Sequence, residues 1–268
     1  MQLKDILLVC DMDGTLIDSH FEIPTRNCEA LAHYQELGGH FTIATGRTKQ
    51  SAGRYFSQIY PDFPCILLNG TILYDFCEHK IISSFSVSTA LLPALLQAVA
   101  KEFPKVGLEL FNTQEVAILR RNRYVKNSMT PEVLMNPAEI SAFPQPWCKA
   151  LLGCNPEEMP ELKAFVQAQP HNGLEFVLTS PAYLEIVPEG VNKGSTLQIL
   201  MKKYGFSPKA VFAIGDYEND REMLKTAGFA AVPADGQPSL QHMANLVTCP
   251  CGNGAVAELA DNLMKRYG

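Results

Sequence analysis

Residues 6–16 read Ile-Leu-Leu-Val-Cys-Asp-Met-Asp-Gly-Thr-Leu. Ile6–Cys10 is a short, near-continuous apolar run, the pattern of a strand buried on both faces. Two carboxylates, Asp11 and Asp13, follow at once, and then Gly14. Like charges this close oppose each other's ionisation, so the pair needs a neutralising partner. A divalent cation such as Mg2+ is the simplest one, because it takes oxygen ligands and shares them with a substrate phosphate. Gly14 permits a tight turn and close approach of the backbone to a ligand. An acidic turn capping the next segment would explain the same residues without any chemistry.

Working outward, Pro24 opens a helix that Gly38-Gly39 ends, with Leu31, Tyr34 and Leu37 forming a stripe. Phe41–Ala44 reads as a second strand, Thr48–Ile59 as a helix and Cys65–Leu68 as a third strand. The last part of the chain repeats the alternation. Asn192–Tyr204 is helical, with Leu197, Leu200, Met201 and Tyr204 on one face and Gly205 as its stop. Val211–Ile214 and Phe229–Val232 are strands around a helix at Glu218–Ala227. Val256, Leu259, Ala260 and Leu263 mark a final helix. This alternation predicts an α/β fold with a doubly wound, mostly parallel sheet and right-handed crossovers. The middle differs: helices at Thr89–Phe103 and Glu157–Gln169 stand apart from strands at Gly107–Phe111, Val116–Leu119, Cys148–Leu152 and Glu175–Thr179. We expect a core from residues 1–83 and 184–268 and an inserted α+β domain at 84–183.

The chain has 268 residues, 47% apolar and 19% charged, with a net charge of −6. That composition argues against intrinsic disorder, and an acidic balance argues against nucleic acid as the main partner. No run of 18 apolar residues marks a membrane span. The residues before Asp11 lack the apolar length and cleavage site of a secretory signal, so the expected compartment is the cytoplasm, where the eight cysteines are free thiols. Cys249 and Cys251 flank Pro250. Two cysteines fall short of the four ligands of a structural zinc site, and the plain reading is small residues near a turn.

Three more polar stretches should join Asp11 at carboxyl ends of strands, where open α/β sheets bind ligands. Thr45-Gly46-Arg47 offers a hydroxyl and backbone amides to an anion, or else a helix N-cap. Lys193 lies in the first turn of a helix, against the macrodipole, a conflict that an anionic partner would remove. A solvated lysine is the alternative. Gly215-Asp216-Tyr217-Glu218-Asn219-Asp220 supplies acids for a metal, or simply an acidic first turn.

Taken together, these stretches resemble the haloacid dehalogenase superfamily. The matching segments are Asp-Met-Asp-Gly-Thr-Leu at 11–16, Thr-Ile-Ala-Thr-Gly-Arg at 42–47, Asn-Gly at 69–70, Val-Asn-Lys-Gly at 191–194 and Gly-Asp-Tyr-Glu-Asn-Asp at 215–220. With the large insertion, they look like the Cof-type branch of sugar- and cofactor-phosphate phosphatases (subclass IIB, C2 cap). The resemblance implies a Rossmann-like core with an inserted cap that sets substrate specificity and hinges near Ser83–Ser84 and Pro181–Tyr183. It implies that Asp11 is a nucleophile forming an aspartyl-phosphate and that Asp13 is the general acid and base. Asp11, Asp216 and the carbonyl of Asp13 would hold Mg2+. Thr45, Gly46, Lys193 and Asn219 would bind phosphate, with Asp220 just outside the metal ligands or paired to Lys193.

The implied activity is hydrolysis of a small phosphorylated metabolite by a monomer or homodimer. A phosphomutase using the same aspartyl-phosphate remains an alternative. A phospho-acceptor signalling domain is the non-enzymatic one, though such domains are about half this length and lack the insertion. Tyr217 is bulkier than the family pattern suggests and would narrow access. In the insertion Arg120, Arg121, Arg123 and Lys126 form a basic cluster, read as a solvated face or as a site for a second substrate anion.

Overall fold

The computed structural model describes residues 1–125 and 129–268. The chain divides into one unit made of Met1–Ser83 with Asn192–Gly268 and a second made of Ser84–Val191.

Among the described residues of the first unit, five strands form a parallel sheet. Their spatial order is Leu246–Thr248, Phe229–Pro233, Val211–Ile214, Leu7–Cys10, His40–Ile43. Every residue of the two middle strands, Leu7–Cys10 and Val211–Ile214, is buried, which is why their sequences are unbroken apolar runs. Helix Lys193–Tyr204 packs Leu197, Leu200 and Met201 against Leu7, Val9, Val211 and Ala213. Helices Thr25–Glu36 and Ala255–Tyr267 pack on each other. The buried Asn27 joins this pair: its Oδ1 accepts from Ala257 N at 2.9 Å, and its Nδ2 donates to Leu16 O at 3.3 Å.

The chain leaves Leu7–Cys10 towards one edge of the sheet and Val211–Ile214 towards the other. Strand order therefore reverses between them, and their carboxyl ends border the crevice where such sheets bind ligands. Cys10 pairs with Ile214, and Asp11 N donates to Ile214 O at 2.9 Å, so Asp11 and Gly215 leave the sheet side by side.

Three expectations for this unit change. The third strand, Cys65–Leu67, does not extend the parallel sheet. It pairs antiparallel with Ile72–Asp75, beside Lys80–Ser84, and meets the main sheet through one bridge, Ala44 to Ile66. The chain doubles back because Leu68, Asn69 and Gly70 all take positive φ. The helix after Thr45 is short, Lys49–Gly53, because Gly53 is a poor helix former. The expected helix at Glu218–Ala227 is split into a 3-10 turn, Glu218–Asp220, and a helix, Arg221–Thr226. The Asp220 carboxylate accepts from the amides of Asp216 and Tyr217, which tightens that first turn.

Among the described residues of the second unit, six strands form a sheet in the order Leu174–Ser180, Tyr183–Pro188, Trp147–Gly153, Gly107–Asn112, Val116–Arg120, Glu132–Leu134. All neighbours are antiparallel except the last, parallel pair. Helices Leu92–Glu102 and Met159–Gln167 build a core with Leu108, Leu110, Ala150, Leu152, Leu184 and Ile186. The return to the first unit falls after Val191 rather than after residue 183. Pro181–Tyr183, expected as a hinge, lies at the turn of a hairpin: Tyr183–Pro188 pairs with both Leu174–Ser180 and Trp147–Gly153. The basic cluster is dispersed. Arg120 donates to the carbonyls of Ala100 (2.7 Å) and Phe103 (2.8 Å), where helix Leu92–Glu102 ends. Arg121 pairs with Glu132, Arg123 lies on the Tyr124 ring, and Lys126 is outside the described residues. Among the described residues no helix is long and apolar enough to cross a membrane.

This second sheet also holds a buried charge cluster that no motif or periodicity announces. Lys149 Nζ donates to Glu185 Oε1 at 2.7 Å with both side chains buried. Glu109 and Glu185 flank Leu151 in register on either side. Burial pushes the Glu109 carboxyl from 4.5 up to about 7. Lys149 and Arg121 oppose the shift, while Glu132 and Glu185 add to it. The unfolded chain releases this proton near 4.5 and the folded chain near 7, so stability falls as pH rises through that window and stays low above it. Glu109→Gln should therefore raise unfolding free energy by up to roughly 3 kcal/mol at pH 8 and change it little at pH 4.5. Urea titrations at both values measure this, and a gain independent of pH would contradict it.

Candidate active site

Asp11 lies at the carboxyl end of Leu7–Cys10, buried by the loops around it. Lys193 is the first residue of helix Lys193–Tyr204, whose start is fixed by Asn192 Oδ1 accepting from Ser195 N at 2.9 Å. Its side chain is not the solvated one of the alternative reading. Lys193 is 1% exposed, and Nζ donates to Asp11 Oδ1 at 2.5 Å and to Asp220 Oδ1 at 2.7 Å. Asp220 is fully committed: its other oxygen accepts from Asp216 N at 3.0 Å and Tyr217 N at 3.1 Å.

Asp216 follows Gly215 at the end of Val211–Ile214, and its Oδ1 accepts from Thr15 Oγ1 at 2.9 Å. Gly14 takes φ +83°, and a Cβ there would lie 2.6 Å from Asp216 Oδ2. A side chain at residue 14 would thus be strained and would fill the space beside that oxygen. Carboxylate oxygens of Asp11, Asp216 and Asp220 lie within 4.8 Å of one another.

Three acids cluster beside one ammonium, which bonds only Asp11 and Asp220, and their titration reflects the deficit. Burial, then Asp220, push the Asp11 carboxyl well above its ordinary value, against the pull of Lys193. Burial and Asp220 raise Asp216 to about 7. Burial pulls the Lys193 ammonium down, but Asp11 and Asp220 overcome it and leave the group strongly protonated. A hard cation fits this donor set: oxygen atoms only, and an excess of negative charge.

The remaining expected residues are placed as follows. Thr45 is buried at the end of His40–Ile43, but it does not offer a free amide: Thr45 N donates to Ile66 O at 2.8 Å, and Arg47 N donates to Thr45 Oγ1 at 3.2 Å. It is not the helix cap either, because Thr48 fills that position. Gly46 faces Asn69, where a Cβ would meet the amide group at 3.1 Å. Asn219 Nδ2 donates to Asn69 Oδ1 at 3.0 Å, and Asn69 N donates to Thr45 O, so the three loops are stitched together. Asp13 stands apart from the other acids: its carboxylate faces Arg47. Tyr217 is half-buried. Cys251 is buried, its thiol donating to Thr15 O (3.2 Å) and Ile17 O (3.4 Å), while Cys249 N donates to Glu258 Oε2. Among the described residues neither cysteine joins a cluster of three possible metal ligands. All eight cysteines are free.

The family model for haloacid dehalogenase-like hydrolases matches residues 8–259. A pyridoxal phosphate phosphatase of Escherichia coli is 24% identical, over 90% of this chain and 92% of its own length. A 5-amino-6-(5-phospho-D-ribitylamino)uracil phosphatase of Bacillus subtilis is 23% identical, over 96% of this chain and 97% of its own. Among solved structures, a haloacid dehalogenase-like hydrolase from Bacteroides thetaiotaomicron superposes with a TM-score of 0.85 at 22% identity, covering 96% of this chain and 99% of that one. At that identity the structural likeness speaks for the fold alone.

Replacing Lys193 with Met would keep the volume and leave two buried carboxylates without their ammonium. Breaking one side of a buried pair costs about 3–5 kcal/mol. We expect Lys193→Met to lose stability on that scale in metal-free urea unfolding. A loss below about 1 kcal/mol would mean the ammonium is not what holds these acids together.

Proposed function

The chain belongs to the haloacid dehalogenase-like hydrolase family, in its Cof-type branch, and is a phosphoric monoester hydrolase; from that premise we propose that it is a Mg2+-dependent phosphatase of small phosphomonoesters, sugar phosphates or phosphorylated cofactors, acting through an aspartyl-phosphate on Asp11. The observation that carries this reading is the cluster of Asp11, Asp216 and Asp220 around a single ammonium at the switch point of a parallel sheet.

In this reading the Asp11 carboxylate attacks phosphorus, and the bond from phosphorus to the ester oxygen breaks. Asp13 delivers a proton to the departing alkoxide. Asp13 then accepts a proton from water, whose oxygen attacks phosphorus. The bond to Asp11 breaks, and inorganic phosphate leaves with Asp11 regenerated. Lys193 holds Asp11 in place and, with the Thr45 hydroxyl and the loop at Gly46, stabilises charge on the phosphoryl oxygens; Asn219 braces that loop through Asn69. Asp220 keeps Lys193 oriented. The carboxylates of Asp11 and Asp216 and the carbonyl of Asp13 would hold Mg2+, which would offset the charge between the acids and an incoming phosphate.

The inserted domain sets which leaving group is accepted. The chain's relatives include enzymes named for a pyridoxal phosphate and for a ribitylaminouracil phosphate, which share the phosphate ester and differ in what is attached to it. Eight free cysteines suit the reducing cytoplasm.

Asp11→Asn should remove phosphate release from p-nitrophenyl phosphate by at least about 10³-fold, because an amide is a poor nucleophile. Turnover near the wild-type rate would take the nucleophile's role from Asp11. Chelation by EDTA should stop turnover and added Mg2+ restore it; full activity in chelator would end the metal assignment. A mutase would instead move phosphate between sugar positions and release little of it.

A further inference from the structure

The carboxylate of Asp13 is gripped at two points. Arg47 Nη2 donates to Asp13 Oδ1 at 2.6 Å, and Arg47 Nε donates to Asp13 Oδ2 at 2.8 Å. This is the fork-to-fork geometry that fixes both position and plane of a carboxylate. The two partners are unequally exposed: the Asp13 side chain is 52% accessible and that of Arg47 only 13%. Arg47 is also braced from behind. Its Nη1 donates to Ser51 Oγ at 3.0 Å, and its guanidinium lies 5.1 Å from the centre of the Tyr55 ring. Tyr55 is itself tied by its hydroxyl to Phe21 O at 3.1 Å. The Arg47 amide donates to Thr45 Oγ1, which links the clamp to the phosphate-side loop.

A half-exposed aspartate next to a glycine would otherwise sample several rotamers. A proton relay needs its donor held within hydrogen-bond reach of the reacting oxygen, and lost orientation slows the step without weakening substrate binding. We propose that Arg47 is the positioning residue for Asp13, holding the acid–base carboxyl from outside the acidic cluster. The inference rests on the role given to Asp13 above. When the carboxyl carries a proton, one oxygen still accepts from the guanidinium and the other presents its O–H to the leaving oxygen. When it is ionised, the fork holds both oxygens for the water step. The Thr-Gly-Arg segment thus reaches the site twice, through Thr45 beside the phosphate loop and through Arg47 on the proton relay.

The test compares two esters that differ in their need for an acid. Phenyl phosphate has a poor leaving group and needs protonation; p-nitrophenyl phosphate has a good one and needs little. The quantity read is kcat/KM, which stops at formation of the aspartyl-phosphate. In Arg47→Met, kcat/KM should fall by about 30-fold or more with phenyl phosphate and by less than about 3-fold with p-nitrophenyl phosphate. The phenyl phosphate loss should lie in kcat, with KM changed less than about twofold. Arg47→Lys keeps the charge but not the fork and should fall between wild type and Arg47→Met. In an Asp13→Asn background, adding either change should leave the ratio between the two esters where Asp13→Asn alone puts it.

Equal losses with both esters would overturn the proposal, as would a further loss in the Asp13→Asn background, which would place Arg47 on the substrate itself. A rise in phenyl phosphate turnover would overturn it too, by making the clamp a brake. If Arg47→Met does not fold, judged by circular dichroism, Arg47→Lys and its Asp13→Asn combination decide the matter alone. Wild-type protein that releases phosphate from neither ester would bring down the phosphatase reading, and this inference with it; wild-type turnover with equal losses removes the positioning role only.

Discussion

An ammonium group sealed from water must be met by carboxylates, and at Lys193 that requirement joins parts of the chain that are remote in sequence. Its helix start, the end of strand Leu7–Cys10 and the turn after Val211–Ile214 all converge on one nitrogen. Desolvating such a charge costs several kcal/mol unless its partners and geometry are good. Here two acids answer it, and one of them, Asp220, is held by two backbone amides in turn. The arrangement also answers the clash between a lysine and the positive end of its own helix, because two acids neutralise the ammonium. What it leaves over is negative charge, concentrated where the sheet opens.

That surplus organises the rest of the site. The acids do not repel one another apart because each is tethered separately: Asp11 through its amide to Ile214, Asp216 through Thr15, Asp220 through Lys193. The loops around them are stitched by hydrogen bonds of Asn69 and Asn219. Polar connections of this kind fix orientation more tightly than a greasy contact would, which suits groups whose work depends on direction. The Asp13 and Arg47 fork extends the same design outward to the half-exposed rim.

Much of this was legible in the sequence because it is local. Apolar runs ending in Asp11 and at Gly215 announced two buried strands with acids at their carboxyl ends, and the burial of Leu7–Cys10 and Val211–Ile214 follows directly. Lys193 at a helix start was readable as a cation needing an anion. The less legible features depend on pairing across the chain. Pro181–Tyr183 reads as a hinge and the residues after it as core, yet Tyr183–Pro188 completes a sheet whose other strands begin far upstream. Lys149 and Glu185 are each a single charge in an apolar stretch, and only strand register brings them together. Arg47 belongs to the Thr-Gly-Arg motif, but its partner depends on how two loops fold, and spacing carries no trace of it. The engagement of the Thr45 amide is hidden for the same reason: the strand that consumes it, Cys65–Leu67, turns back instead of running on.

The division of the first unit into two separated segments has a consequence for biosynthesis. Leu7–Cys10 and His40–Ile43 emerge from the ribosome early, but the neighbour on the other side of Leu7–Cys10 is Val211–Ile214. At about 5–20 residues per second, the nascent strand waits roughly 10–40 s with one hydrogen-bonding edge unpaired. The segment made in that interval, Ser84–Val191, is contiguous and has its own core, so it gains structure while the earlier piece is still incomplete. An apolar strand with an open edge is a template for aggregation. Vectorial synthesis therefore leaves an aggregation-prone edge open at the place where the acidic cluster is later completed.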